Sequence, residues 1–342
     1  MKIYCSTISA VSLALTLGAC TPQTGPRLVQ LQGPTMGTQY SVKLVVDPAY
    51  DRDLANQAIA GVLDGIENAM STYRADSEVS RFNRHVSADW FAVSPPVVDV
   101  VSASLEISRL SEGSFDVTVA PLIELWGFGG KERGGSLPAP AQITQAQARV
   151  GYGNLSVRTD PGALRKAVPD LWLNLSAIAK GYAVDRVVDY LEQNGVSDYL
   201  VEIGGEIKAH GNSDSGRPWR IGIEKPVSSE RSVQRIITPI DQGVATSGDY
   251  RNFFTVGGRR YSHTLNPRTG RPVTHTLASV TVLDDTAMRA DALATALLVL
   301  GPRAGFSLAD RLQLPAYFII RDDQGFSERY TQAFERYLVD QS

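Results

Sequence analysis

Apolar and polar positions alternate over residues 40–46 (YSVKLVV), the pattern of a strand with one buried face, and Asp47-Pro48 ends it. Beyond it Leu54, Ala58, Val62, Ile66 and Met70 recur every fourth residue and predict a helix. Val100, Ala103, Ile107 and Leu110 make a second helical stripe, stopped by Gly113. A third helix is expected over residues 178–193, with Val184, Val187, Val188 and Leu191 inward and Asn194-Gly195 as its C-cap. Residues 199–203 and 206–210 flank Gly204-Gly205, a hairpin signature. Further strands are expected at 171–175, 219–224, 278–283 and 316–320, with a helix over 286–300 closed by Gly301-Pro302. Residues 127–140 are rich in Gly and Pro and read as a loop. There is no fixed repeat and no regular strand–helix alternation. The pattern predicts an α+β fold with mixed or antiparallel sheets and packed helices.

At 342 residues, 43% hydrophobic and 20% charged, the chain can bury a core without disulfide staples. A formal charge of −3 excludes nucleic acid as the main partner. Both cysteines, Cys5 and Cys20, fall within the first twenty residues, so the folded part holds no disulfide framework and no cysteine metal site. Lys2, a mostly apolar stretch over 8–17 and then Leu17-Gly18-Ala19-Cys20 fit a secretory signal. Its ending resembles a bacterial lipoprotein signal, in which Cys20 is lipidated and becomes the mature N-terminus. The expected organisation is a signal peptide at 1–19, a lipid-anchored tether at 20–34 and one domain at 35–342. No later run reads as long and apolar enough to cross a bilayer. The domain is therefore expected on a bacterial membrane, facing the periplasm.

Three clusters could carry chemistry. Asp291 and Thr295 stand one helical turn apart, and their oxygens suit a hard cation such as Mg²⁺, although such a pair in an alanine-rich helix is more often a solvated face or a back-bonded hydroxyl. Residues 247–250 and 261–270 are polar, Gly- and Pro-rich loops, in which His263 could serve as a base or be part of a turn. The run from Asn174 to Tyr182 leads into a helix start where Lys180 could meet phosphate, or it is only a tight join.

Taken in order, Met36-Gly37-Thr38, Met70–Tyr73, Ser80–Asn83, Gly113–Thr118, Leu175–Asp185, Glu202–Glu206, Ala245–Tyr250, Tyr261–Gly270 and Ala290–Ala296 resemble the ApbE family. That family comprises FAD:protein FMN transferases, with a T-fold-related architecture and an active site in a cleft. The resemblance implies FAD as substrate and Mg²⁺ as cofactor. It implies contacts to FAD from Met36, Tyr73, Phe115, Asp116, Val117, Asn174, Lys180 and Leu265. It implies metal ligation by the Ala177 carbonyl, Asp291 and Thr295. His263 is the implied base for the acceptor hydroxyl, with Asp249 to hold it or substitute for it. Asn174 and Asn266 stand where the family usually has Asp. The implied reaction moves FMN from FAD to a threonine or serine hydroxyl and releases AMP. The implied acceptors are flavoprotein subunits of extracytoplasmic electron-transfer complexes. A flavin carrier without transfer chemistry and a Mg²⁺-dependent FAD pyrophosphatase are the alternatives.

Overall fold

A computed structural model describes residues 25–129, 136–227 and 232–339. A hairpin of Arg27–Thr35 (β1) and Thr38–Val46 (β2) leads into helices Arg52–Met70 (α1) and Glu78–Arg84 (α2), the short strand Phe91–Ala92 (β3) and helix Pro95–Leu110 (α3). Helices Ala120–Leu125 (α4) and Pro140–Gln147 (α5) precede the hairpin Leu155–Thr159 (β4) and Gly162–Lys166 (β5). Helix Ala179–Gln193 (α6) is followed by the hairpin Tyr199–Ile203 (β6) and Glu206–His210 (β7), then the ribbon Ile221–Glu224 (β8) and Val233–Ile237 (β9). Strand Gly243–Gly248 (β10) comes next, then two small hairpins. These are Phe253–Val256 (β11) with Arg259–Ser262 (β12), and Leu265–Asn266 (β13) with Arg271–Pro272 (β14). Leu277–Asp284 (β15), helix Ala287–Arg311 (α7), Ala316–Asp322 (β16) and Gly325–Tyr330 (β17) follow.

Eight strands form the central sheet in the order β1-β2-β6-β7-β10-β15-β16-β17, with every ladder antiparallel. Helices cover one face of the sheet and the β8–β9 ribbon covers part of the other, so its two sets of alternate residues enter different surroundings. Tyr199, Val201 and Ile203 pack with α1, α6 and α7, whereas Val244, Leu283 and Ile319 pack with Ile221, Ile223 and Ile237 of the β8–β9 ribbon. The expected α+β class and antiparallel sheet are what the chain forms.

Several local expectations change. Residues 27–34, assigned to a tether, belong to the sheet: β1 pairs along β2 and buries Val29 and Leu31, so the folded domain begins near residue 27. Residues 20–24 of that tether, Cys20 among them, lie outside the described residues. Helix α1 forms, capped by the Asp51 carboxylate on the Asp53 and Leu54 amides, but its buried stripe is Ala55, Ile59, Leu63, Ile66 and Met70. A strict four-residue step advances about 40° beyond each turn, so the stripe begun at Leu54, which is 63% exposed, starts off the buried face and reaches it at Ile66 and Met70. Residues 171–175 form no strand. Their backbone groups are bonded otherwise: Asn83 Nδ2 donates to the Leu173 carbonyl (2.9 Å), Asn83 Oδ1 accepts from the Leu173 amide (2.7 Å), and the buried Lys166 ammonium donates to the Leu171 carbonyl (3.1 Å). Of the loop expected at 127–140, residues 130–135 lie outside the described residues, and Pro140 opens α5.

Helix α7 continues past the expected stop. Gly301, at φ 82° and ψ −176°, kinks it, and Pro302 starts the second limb, where a missing N–H costs nothing. Contrary to the expectation above, α7 is long and apolar enough by composition to cross a bilayer, yet it is the core helix beneath β10 and β15. Its start is fixed by α6. The buried Asp185 carboxylate accepts from the Ala287 (3.0 Å) and Met288 (2.9 Å) amides, satisfying donors that a helix start leaves free. Gly181 makes the crossing possible, because a Cβ there would overlap the Ala287 carbonyl oxygen. Gly181→Ala is expected to destabilise the fold by about 1–3 kcal/mol through overpacking, read as a lower denaturant midpoint with an unchanged slope.

Candidate active site

A cleft of about 820 Å³ opens where α6, α7, β10 and the loops after β12 converge. Ten of the residues singled out from the sequence line it: Phe115, Asp116, Val117, Asn174, Ala177, Lys180, His263, Leu265, Asp291 and Thr295. Three do not. Met36 sits at the β1–β2 turn with φ 49° and gives its amide to Glu67 Oε1 (2.8 Å). Tyr73 is 78% exposed outside the cleft lining. Asp249 is engaged elsewhere. Its carboxylate takes both guanidinium nitrogens of Arg321 (3.0 and 2.5 Å) and lies 3.5 Å from Arg260, so it neither holds His263 nor is free to act as a base.

The α6–α7 crossing places the acidic end of the site. Asp291 is buried on α7, and its Oδ2 accepts from the Gly181 amide of α6 (3.2 Å). One turn on, Thr295 Oγ1 lies 3.1 Å from Ser247 Oγ of β10. Burial raises the Asp291 carboxyl above its ordinary range, against the pull of the Lys180 ammonium. Lys180 meets Glu206 at 2.5 Å. Burial works against the ammonium, but Glu206 and Asp291 outweigh it and hold Lys180 protonated. Burial likewise pushes the Glu206 carboxyl up while Lys180 opposes it. The site is a cation bracketed by two carboxylates under a helix start.

Whether these groups suit a metal is decided by the donor set. Among the described residues no group of three or more His, Cys, Asp or Glu is placed to hold a metal ion. Asp291, Thr295 and the Ala177 carbonyl instead offer oxygen alone, with one charge, on the wall of one cleft. That set suits a hard cation which keeps few protein ligands and takes its remaining oxygens from water and phosphate. It does not suit zinc.

His263 is the histidine of the cleft; His85, His210 and His275 lie off its lining. Its amide and its Nδ1 both meet the Asn252 carbonyl at 3.0 Å. A carbonyl only accepts, so the neutral ring carries its proton on Nδ1 and leaves Nε2 as the basic nitrogen. Burial lowers the His263 pKa below its ordinary 6.5, so the ring is neutral at pH 7.

The two Asp-to-Asn departures are turn residues. Asn174 Oδ1 accepts from the Ser176 amide (2.9 Å) and its amide donates to the Val117 carbonyl (2.8 Å), which shapes the approach to Ala177. Asn266 Oδ1 accepts from the amides of Arg268 (2.9 Å) and Thr269 (3.3 Å), bonds that Asp would also accept. Sequence reasoning missed Glu206, Ser247 and Asn252. Glu206 follows the Gly204-Gly205 turn, and nothing in its local pattern distinguishes it from an exposed strand residue.

The ApbE family model matches residues 36–318. The FAD:protein FMN transferase of Vibrio cholerae is 44% identical over 332 residues, covering 97% of this chain and 98% of that protein. The solved structure of the flavin transferase ApbE from Vibrio cholerae superposes with a TM-score of 0.85 over 92% of this chain and all of that one. The apo flavinyl transferase ApbE of Pseudomonas stutzeri does so at 0.85 and 41% identity, over 94% of this chain and all of that one.

Proposed function

Because this chain belongs to the ApbE family, and is a flavin transferase working from FAD onto protein, we propose a finer reading of its reaction. In it FMN passes from FAD to a threonine or serine hydroxyl of an extracytoplasmic acceptor, in a Mg²⁺-dependent step that releases AMP. One observation carries this reading. A single cleft is lined by a neutral histidine with a free Nε2, a buried ammonium at a helix start, and an oxygen-only ligand set.

Each group has a part that its chemistry permits. Lys180 and the start of α6 attract the pyrophosphate, and Glu206 keeps the ammonium aimed into the cleft. Asp291, Thr295 and the Ala177 carbonyl would hold Mg²⁺, which when bound neutralises phosphate charge and supports the leaving group. His263 Nε2 takes the hydroxyl proton as the acceptor oxygen attacks the flavin-side phosphorus. That P–O bond forms as the anhydride bond to AMP breaks, so FMN ends on the acceptor as a phosphoester and AMP leaves. Phe115, Val117 and Leu265 supply apolar wall beside the nucleotide. The acceptors proposed are flavoprotein subunits of electron-transfer complexes facing the periplasm.

The test is intact-protein mass spectrometry of a candidate acceptor subunit incubated with FAD, Mg²⁺ and this protein. A gain of FMN less one water, lost on mutating a single Thr or Ser of the acceptor, supports the reading. An unchanged mass across the candidate subunits counts against it.

The proposed location rests on Cys20. Acylation there would anchor the chain to the membrane. Cys20→Ala is expected to move the protein to the soluble fraction after a salt wash. A variant that still pellets with membranes contradicts a lipid anchor at this residue.

A further inference from the structure

The cleft has two unlike halves. The half described above is charged and built from helix starts and loops. The other lies between β8 and the face of the central sheet turned away from the helices. Its floor is made by alternate residues of β2 and β6: Ser41 and Lys43, Leu200 and Glu202. In the ladder Ser41 stands opposite Glu202, and Lys43 opposite Leu200, so the four form one patch.

The wall of this half is β8 with the residue that precedes it: five consecutive residues, Arg220 to Glu224, line the cleft. Successive residues of a strand point to opposite faces. Five in a row on one wall therefore present the strand edge-on. β8 belongs to a two-stranded ribbon with β9. Antiparallel ladders bond at alternate residues: Ile236 turns its carbonyl to the Val339 amide, so Gly222, opposite it, points its own N–H and C=O away from β9, and among the described residues they meet no other backbone group. The far edge of β9 is covered: Ile237 bridges Leu338, and the Val339 amide donates to the Ile236 carbonyl (3.3 Å). One edge of the ribbon is thus closed, and the other faces the cleft with backbone donors and acceptors to offer.

The same wall leads to the base. Glu224, at the end of β8, pairs with Arg251, and the next residue, Asn252, holds His263 through its carbonyl. A chain lying along β8 would run toward the histidine.

We propose that the acceptor protein binds as an extended segment added to the free edge of β8, over the Ser41–Lys43–Leu200–Glu202 floor. This rests on the reading that the cleft transfers FMN to protein, and it assigns the second substrate its place. Main-chain bonds to β8 supply affinity without demanding a particular sequence, and alternate side chains meet the floor. An acidic side chain over Lys43 is the complementary choice. The hydroxyl residue then lies toward the His263 end, with the nucleotide in the charged half. Such a mode lets one enzyme serve several acceptors that share only an extended, hydroxyl-bearing strand.

The experiment uses the full chain and the acceptor subunit that gains FMN in the mass-spectrometric assay. A wild type that modifies no acceptor is the failure of the functional reading, and it is seen before any variant is made. With a working acceptor, Lys43→Glu and Ser41→Trp are assayed for KM toward acceptor and toward FAD. Amide exchange of Gly222 is followed with and without acceptor. The expected result is a tenfold or larger rise in KM for acceptor in both variants, KM for FAD within twofold, and slowed exchange of the Gly222 amide when acceptor is added. Peptides spanning the modified residue, N-methylated one position at a time, should lose activity with a period of two. An unchanged KM for acceptor in both variants, with unaffected exchange, overturns the inference. A parallel rise in KM for FAD also overturns it, by giving this half of the cleft to the nucleotide.

Discussion

Replacing Asp291 by alanine is expected to nearly abolish FMN transfer at Mg²⁺ concentrations that saturate the wild type. Of the three oxygens assigned to the cation, only this one carries charge, so it should dominate the protein's share of affinity. Loss of an outer-shell partner alone typically costs about 10–100-fold, and loss of the charged ligand should exceed that. Asp291 also accepts the Gly181 amide, so alanine leaves a buried donor unpaired at a cost of about 1–3 kcal/mol. Asp291→Asn separates the two effects, since it keeps an acceptor and removes the charge. Titrating transfer against Mg²⁺ should show both variants displaced to far higher Mg²⁺, with Thr295→Ala displaced less. Curves that superimpose on the wild type would make Asp291 a structural residue of the helix crossing.

His263→Ala should slow transfer by about 10²-fold or more, the usual cost of losing a general base, while FAD binding persists. A base acts in the transition state rather than in the ground state, so the loss belongs in kcat. The wild-type pH profile carries the same signature. Burial lowers the His263 pKa, so the neutral, working form persists below pH 6.5 and activity falls only as pH drops through the lowered value. Stability shifts in the same direction, because the unfolded chain takes up the proton first and folding loses free energy as the medium becomes more acid. In the alanine variant the acid limb assigned to His263 should vanish. An unchanged rate and an unchanged acid limb would return His263 to the turn.

Much of this site was legible because its residues stand in short segments with strong local signals. The α6 start, the Gly204-Gly205 turn and the Asp291–Thr295 spacing each follow from periodicity or turn chemistry, and the structure brings all three to one cleft. What failed to be legible depends on contacts remote in sequence. Asp249 reads as a partner for His263 because both lie in neighbouring polar loops, but Arg321, 72 residues further on, claims its carboxylate. Residues 171–175 look like a strand, yet Asn83 and Lys166 take their backbone groups. Glu206 gains its role only when the sheet carries it to Lys180. The α1 stripe shows a different failure, in which a strict four-residue step begins on the exposed Leu54 and meets the buried face only at Ile66 and Met70.

In the proposed reaction this cleft couples breakage of FAD to modification of a protein hydroxyl. The measurement that tests it most directly is the ratio of AMP released to FMN attached, in one reaction with FAD, Mg²⁺ and an acceptor subunit. The ratio is predicted to be one, with no free FMN and little AMP when the acceptor is left out. AMP and free FMN formed equally well without acceptor would contradict the claim and make the protein a pyrophosphatase. FAD bound with no AMP formed under any condition would contradict it as well, and make the protein a carrier.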